Sequence, residues 1–394
     1  MARIHPSSQG CRRRRQDTQS RPLVIHSRPM KAMVLLTDAY GGYGGIAKFN
    51  RDLLEALAAD DRYGRILALP RLRPKLRFSD LPDGLDYPVP RRESRVGYAI
   101  RALLESLRNR PSDLLICGHI RLLPVARSCA RISGAQLVLV VHGIDAWEAP
   151  GPRFEKWMRS VDMVLSVSRF TAERLIGWSG ISPERCQILP NTIDLQHFSP
   201  GPPASELVER LNLAGKKVLL TVGRLDSREQ TKGFDETIEV LARLGGQIPE
   251  LVYLIVGDGD DRLRLEQLAR SRGMSDRVIF AGYVAETDKV SYFRLADVYV
   301  MPSRSEGFGI AYLEALACGL PVIGGEHGGG KEVLAGMERA LAVPPLDNGA
   351  LEAAITQMLP LGTGLVPPQL SNFGIDCFRR RLKHYLDRLP APRG

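Results

Sequence analysis

The 394-residue sequence is poor in aromatic side chains, at 6%, and holds only three tryptophans. No stretch approaches the ~18 consecutive apolar residues of a membrane-crossing helix; the longest apolar runs, such as Gln136–Val141, are strand-sized. No apolar segment follows the basic N-terminus, which argues against a secretory signal. Six cysteines (11, 117, 129, 186, 318 and 377) are scattered without C-x-x-C spacing. That argues against a disulfide scaffold or a zinc site and suits reduced thiols in a cytosolic protein. Acid is scarce at the start: residues 1–30 hold seven arginines and one acidic residue, Asp17, so much of the net charge of +10 is local. The expectation is that residues 1–29 form a disordered basic tail, or an over-long translation start with Met30-Lys31 opening the domain. Acidic partners, nucleic acid included, do not follow from such a tail.

An apolar fraction of 44% and a charged fraction of 25% are those of ordinary globular protein, and the length suggests about two to three domains. Short apolar runs alternate with helical spacing. In the first half the strands read as Met33–Thr37, Arg65–Leu69, Asp113–Cys117, Gln136–Val141, Met163–Val167 and Cys186–Leu189, with helices over Val96–Leu107 and Phe170–Ile176 among them. A Pro-rich break over 189–203 reads as a linker. The alternation then restarts at Lys217–Val222 and continues through Leu251–Val256, Arg277–Phe280, Val298–Met301 and Pro321–Ile323, with a helix over Phe234–Leu244. Alternation of this kind predicts two α/β domains, each a parallel sheet covered by helices, over 30–200 and 201–394. The basic stretch Cys377–Leu386 reads as an end helix, either solvated or crossing back to the first domain.

The most informative stretch is Pro302-Ser303-Arg304-Ser305-Glu306-Gly307-Phe308-Gly309-Ile310, running into Ala311–Gly319. It reads as a strand end, a glycine turn and a helix whose start offers free amides to an anion, with Glu306 before the turn and Glu314 inside the helix. Gly41–Gly45 is a second strand–glycine–helix junction. Its Gly42-x-Gly44-x-x-Ala47 fits a dinucleotide loop, but the acidic residue expected ~20 positions later is missing. His142-Gly143 follows a strand end, where Asp145, Trp147 and Glu148 would add polar contacts to a ligand. Arg224 and Lys232 lie just past another strand end and suit a diphosphate, one as a fork and one as a point charge. Asp258-x-Asp260 resembles a metal–diphosphate site but reads better as a turn, with Asp260 or Asp261 capping the next helix. Gly328–Gly330 is a further loop able to approach a ligand closely.

Taken in order, Gly41–Gly45, His142-Gly143, Val222–Leu225, Lys232–Asp235, Gly257–Gly259 and Pro302–Glu314 with Ala317–Val322 resemble the retaining glycosyltransferases of family 4, over roughly residues 31–345. The resemblance implies the GT-B architecture, two Rossmann-like doubly wound domains facing each other across a cleft, and hexosyl transfer, mannosyl or glucosyl favoured, from a nucleoside-diphosphate sugar to a saccharide or polyprenyl-linked acceptor. It implies that Arg224 and Lys232 hold the diphosphate, that Glu314 binds the ribose, and that Glu306 with Phe308, Gly309 and Ile310 holds the sugar and distal phosphate. It further implies that Gly44 and Gly45 approach the diphosphate, that Val284 lies near the base, and that His142 lies near the reacting centre. No cofactor or obligatory metal is implied. The location implied is cytoplasmic, with peripheral contact to the inner face of the cytoplasmic membrane, for which the basic amphipathic stretch Arg95–Arg110 is a candidate. A phosphorylase of the same fold and a non-catalytic sugar-nucleotide binder are the alternatives. Two departures stand out: Asp226–Thr231 lengthens the loop before Lys232, and Lys331 follows the triple glycine.

Overall fold

A computed structural model describes residues 28–75, 78 and 81–390. The reading of the basic tail lies outside the described residues up to position 27; Arg28 pairs with Asp113 at 3.2 Å.

The first sheet contains β1 (Met30–Leu36), β2 (Tyr63–Pro70), β3 (Leu85–Asp86), β4 (Leu114–Cys117), β5 (Gln136–Val141), β6 (Met163–Ser166) and β7 (Cys186–Ile188), in the order β3-β2-β1-β4-β5-β6-β7. The second contains β8 (Lys217–Val222), β9 (Leu251–Val256), β10 (Val278–Gly282), β11 (Val298–Met301), β12 (Val322–Gly325) and β13 (Ala340–Val343), in the order β10-β9-β8-β11-β12-β13. All neighbouring strands are parallel, with β8 matching β9 from Lys217↔Leu251 to Val222↔Val256. Every residue of β5 and β9 is buried. Continuous apolar strands, rather than alternating ones, are what a sheet covered on both faces requires.

In each sheet the winding reverses once, between β1 and β4 and between β8 and β11. Ligands of open parallel sheets bind beyond the strand ends at such a reversal. The segments leaving those strands here are Thr37–Gly44, Gly118-His119, Gly223-Arg224 and Pro302–Gly309, so the topology alone selects most of the motifs read from the sequence.

Sequence periodicity missed the two-residue β3, the edge strand β13 and the helices Leu123–Ser133 and Asn348–Met358. The end helix spans Ile375–Leu386 and packs on the helix Gly45–Ala58 of the first sheet's unit. Phe378 meets Phe49 edge to face at 5.5 Å, and the Tyr385 hydroxyl donates to the Ile188 carbonyl at 3.0 Å. Arg62 pairs with Asp387. Between β7 and the second unit, Ile193 N–H donates to the Phe373 carbonyl at 2.9 Å, so the two crossing segments also hold each other.

Phe378 is therefore the apolar anchor of the crossing helix. Phe378→Ala is expected to cost about 3–5 kcal/mol in denaturant unfolding; an unchanged midpoint would mean that the helix is not fastened there.

Candidate functional site

One interdomain cavity of about 860 Å³ is lined by the eleven residues to which the family resemblance gives a donor-binding or catalytic role: Gly44, Gly45, His142, Arg224, Lys232, Val284, Glu306, Phe308, Gly309, Ile310 and Glu314. Each reaches it by a local device. Gly44 takes φ 88° as the residue before the helix Gly45–Ala58, a conformation only glycine adopts freely. Gly309, at φ 92°, does the same before the helix Ile310–Ala317, and a Cβ there would fall 2.4 Å from the Tyr312 ring. Both helix starts thus open on the cavity with unobstructed amides.

The two units meet backbone to backbone. A Cβ on Gly143 would lie 2.8 Å from Gly307 Cα, and one on Gly307 would lie 2.5 Å from the His142 carbonyl oxygen. Gly45 faces Ile310, whose Cδ1 would be 3.1 Å from an added Cβ. On the far side of this contact the Glu332 carboxylate crosses from the second unit to accept the Arg169 and Phe170 N–H groups, at 2.9 and 2.7 Å. It thereby caps the helix Arg169–Ser179 together with Ser168.

Charge inside the cavity is paired. Lys232 Nζ lies 3.3 Å from Glu306, and Arg224 lies 2.9 Å from Glu229 and 3.4 Å from Asp226. The lengthened loop thus supplies carboxylates to the very arginine it follows. Glu314 is buried and lies 3.6 Å from Lys289, which lies 2.9 Å from Glu286. Burial raises the Glu314 carboxyl above its ordinary value, with Lys289 opposing that rise.

On the first unit's side, His142 Nε2–H donates to the Gly118 carbonyl at 2.9 Å, and the ring packs edge to face on Phe49. Burial drives His142 down to about 4, so it is neutral at physiological pH. His119 at the end of β4 is likewise pushed by burial to about 4, and its Nδ1 accepts the Arg121 N–H. Nearby Asp145 is half-buried, and its partial desolvation pushes it up to about 6.

Three expectations are corrected. Asp145, Trp147 and Glu148 do not line the cavity: Asp145 lies half-buried 3.8 Å from His119, and Trp147 spends its N–H on Thr171. The Gly328–Gly330 loop makes its close approach to protein. Added Cβ atoms there would meet the Glu306 carbonyl at 2.3 Å, the Gly307 carbonyl at 2.1 Å and the Tyr312 ring at 2.7 Å. Exposed Lys331 does not line the cavity either. Asp261 does stand at the N-cap of the helix Arg262–Ser271, but its side chain makes no capping bond and pairs with Arg264, while Asp260 accepts from Ser227 N–H and Oγ–H. Among the described residues no group of three or more His, Cys, Asp and Glu side chains is arranged to hold a metal ion.

The sequence reading missed His119, Lys289, Glu286, Lys48 and the tyrosines Tyr43 and Tyr283, whose rings meet across the cleft at 5.9 Å. His119 carried the same signal as His142, a histidine just past an apolar strand. Lys289 stands among acidic residues and reads as surface charge until the fold turns it onto Glu314.

Two interlocked parallel-sheet units with anion-ready helix starts at their shared cleft define a GT-B glycosyltransferase. A family model described as Glycosyltransferase Family 4 matches residues 43–197 and one described as Glycosyl transferases group 1 matches 205–363, together most of the chain. The chain belongs to glycosyltransferase family 4 and is a sugar-transferring enzyme. It is 31% identical over 248 residues to a GDP-mannose-dependent alpha-(1-6)-phosphatidylinositol monomannoside mannosyltransferase of Mycolicibacterium smegmatis, covering 60% of this chain and 63% of that one. It is 28% identical over 333 residues to the Mycobacterium tuberculosis protein of the same description, covering 80% and 86%. Anabaena HepE, solved with UDP, shares the fold with a TM-score of 0.71 at 21% identity, covering 91% of this chain and all of that one.

The buried neutral histidines set a pH limit on stability. His142 binds its proton near 6.5 when unfolded and near 4 when folded, so the unfolded state holds more protons between those values. Stability should fall by about 3 kcal/mol as pH drops from 6.5 to 4 on account of His142. Denaturant titrations across that range should show the slope, and His142→Asn should remove the His142 share of it while the share of His119 remains; an unaltered slope in the variant would refute the assignment.

Proposed function

We propose that the protein transfers a hexosyl group, mannosyl in the first place and glucosyl in the second, from a nucleoside-diphosphate sugar to a saccharide or lipid-linked saccharide, with retention at the anomeric carbon. The observation that carries this reading is the convergence on one cavity of Arg224, Lys232 and the start of the helix Ile310–Ala317 with Glu306 and Glu314. In this reading residues 30–200 are the acceptor-side unit and the rest the donor side. Mannose and GDP are favoured by the mycobacterial relatives, whose descriptions name both.

The chemistry follows from charge. Breaking the bond between the anomeric carbon and phosphate leaves an anion on the nucleoside diphosphate and a cation-like sugar. Arg224, Lys232 and the amides before Ile310 neutralise the anion without calling on a metal. A diphosphate would compete with Glu229 and Asp226 for Arg224, and Lys232 can serve both phosphate and the sugar-side Glu306. The acceptor oxygen attacks the anomeric carbon from the face that the phosphate leaves, and its proton passes to the departing phosphate oxygen. Neutral His142 hydrogen-bonds the sugar. Gly44 and Gly45 close on the diphosphate, Val284 lies by the base, and Glu314 takes the ribose.

The membrane contact we assign to the helix Arg95–Arg108. Tyr98, Ala102 and Ser106 are buried, and the Tyr98 hydroxyl donates to the Leu69 carbonyl near the end of β2, at the cleft side of the sheet. Away from this face Val96, Ile100, Leu104 and Leu107 are 69, 53, 46 and 50% exposed. Arg91, Arg92, Arg95, Arg101 and Arg108 lie in or beside the helix. Apolar side chains turned to solvent and accompanied by arginine suit the headgroup region of an anionic bilayer. Among the described residues no helix is long and apolar enough to cross a membrane.

Turnover assays with GDP-, UDP- and ADP-sugars test the donor: Arg224→Ala or Glu306→Ala should lower the rate ~10²–10³-fold in folded protein, in EDTA as well as without it. Full activity in both variants would remove the assignment. For the membrane, the protein should sediment with phosphatidylcholine vesicles containing phosphatidylglycerol but not with phosphatidylcholine alone. Changing Val96, Ile100 and Leu104 together to Gln should release it; a variant that still sediments with the phosphatidylglycerol vesicles as wild type does would contradict the assigned face.

A further inference from the structure

Lys289 and Glu286 belong to none of the motifs above, yet they stand beside Glu314 in the cavity wall. We propose that Lys289 is a positioning residue for nucleoside recognition, tethering Glu314 through Oε1 so that Oε2 is presented to the ribose hydroxyls of the donor. The inference rests on the donor reading given above.

The geometry divides the two oxygens of Glu314. Oε1 lies 3.6 Å from Lys289 Nζ. Oε2 is buried and has no hydrogen-bond partner, although the side chain is only 2% exposed. A buried acceptor left unmatched is costly and marks a place where a donor belongs. A vicinal diol brings two O–H donors, and an ionised carboxylate fixed at one oxygen can accept them at the other. Lys289 is itself steadied by Glu286 at 2.9 Å. Without the lysine the Glu314 carboxyl would be free to rotate and would hold its proton to higher pH, replacing an acceptor with an O–H donor.

The charged and titratable groups facing Glu314 are Lys289 and Glu286 from the segment after β10, Lys48 from the helix Gly45–Ala58, Tyr299 on β11 and Cys318 after its own helix. Burial raises the Glu314 carboxyl, and Lys289 leads the opposing influences. Burial also works against the charge on Lys289, but Glu314 and Glu286 outweigh it and hold the lysine above its ordinary value. Removing Lys289 therefore shifts ionisation of Glu314 upward. Ribose recognition lost at low pH should return as pH rises.

The test is calorimetric binding of GDP and UDP, each beside its 2′-deoxy form, to the full-length protein and its variants from pH 6 to 9. Wild type should prefer the ribose form of its nucleotide by about 10-fold or more at every pH. Glu314→Gln should bring the ratio near 1 throughout. Lys289→Gln should bring it near 1 at pH 6 and regain part of it by pH 9, a pH response that loss of packing alone would not produce. Lys289→Arg keeps the cation, is the variant most apt to fold, and should keep the ratio. The proposal is overturned if Lys289→Gln retains the wild-type ratio while Glu314→Gln loses it, or if Lys289→Arg drops to 1. If Glu314→Gln also keeps the ratio, or wild type binds neither nucleotide, the donor reading falls and takes this inference with it.

Discussion

The cavity depends on how closely two backbones can approach between the sheets. His142-Gly143 and Glu306-Gly307 meet with no side chain between them, and Gly329 lies on the outer side of Gly307. Only glycine permits this spacing, because one Cβ at Gly307 would lie within 3 Å of atoms in both His142 and Gly143. The cavity wall is referenced to that contact: His142 on one side, Glu306 on the other, with the two helix starts. The crossing helix and the Glu332 cap hold the same arrangement from further away.

Within that frame, electrostatics decides what the space can accept. Arg224, Lys232 and Lys289 each face a carboxylate, so none of these charges is uncompensated where it lines the cavity. Such pairing lets cations gather at a partly buried place without mutual repulsion, since an unpaired buried charge is far more costly than a paired one. It also grades them. The Arg224 side chain is 62% exposed and its ion pairs are weak by exposure, so an anion can take it over easily. Glu314 with Lys289 is buried and fixed, which suits recognition of neutral hydroxyls rather than exchange.

Most of the fold was legible because parallel strands buried on both faces write themselves as uninterrupted apolar runs; β5, β8, β9 and β11 begin and end where the sequence places them. Short or edge strands such as β3 and β13 carry no such signal. The candidate site was legible where chemistry coincided with a strand end or a glycine turn, as at Arg224, His142 and Glu306. It was illegible where a residue gains its meaning from a distant partner. Lys289 lies 25 positions before Glu314 in a polar segment. The triple glycine at 328–330 was read as facing a ligand because sequence cannot say which surface a small residue accommodates; here it accommodates the Glu306-Gly307 backbone. Asp145 and Trp147, polar groups beside a strand end, turn toward His119 and Thr171 instead of the cavity.

The measurement that bears most directly on this account is sugar transfer by Gly307→Val, set against its affinity for nucleoside diphosphate. The substitution inserts a branched side chain where the His142 carbonyl would be 2.5 Å from its first carbon, while leaving Arg224, Lys232, Lys289 and Glu314 in place. The account predicts a folded protein that still binds nucleoside diphosphate but transfers sugar at least ~100-fold more slowly, because a displacement of about 1 Å between the two halves of a reacting site has that effect. Transfer at the wild-type rate would contradict it.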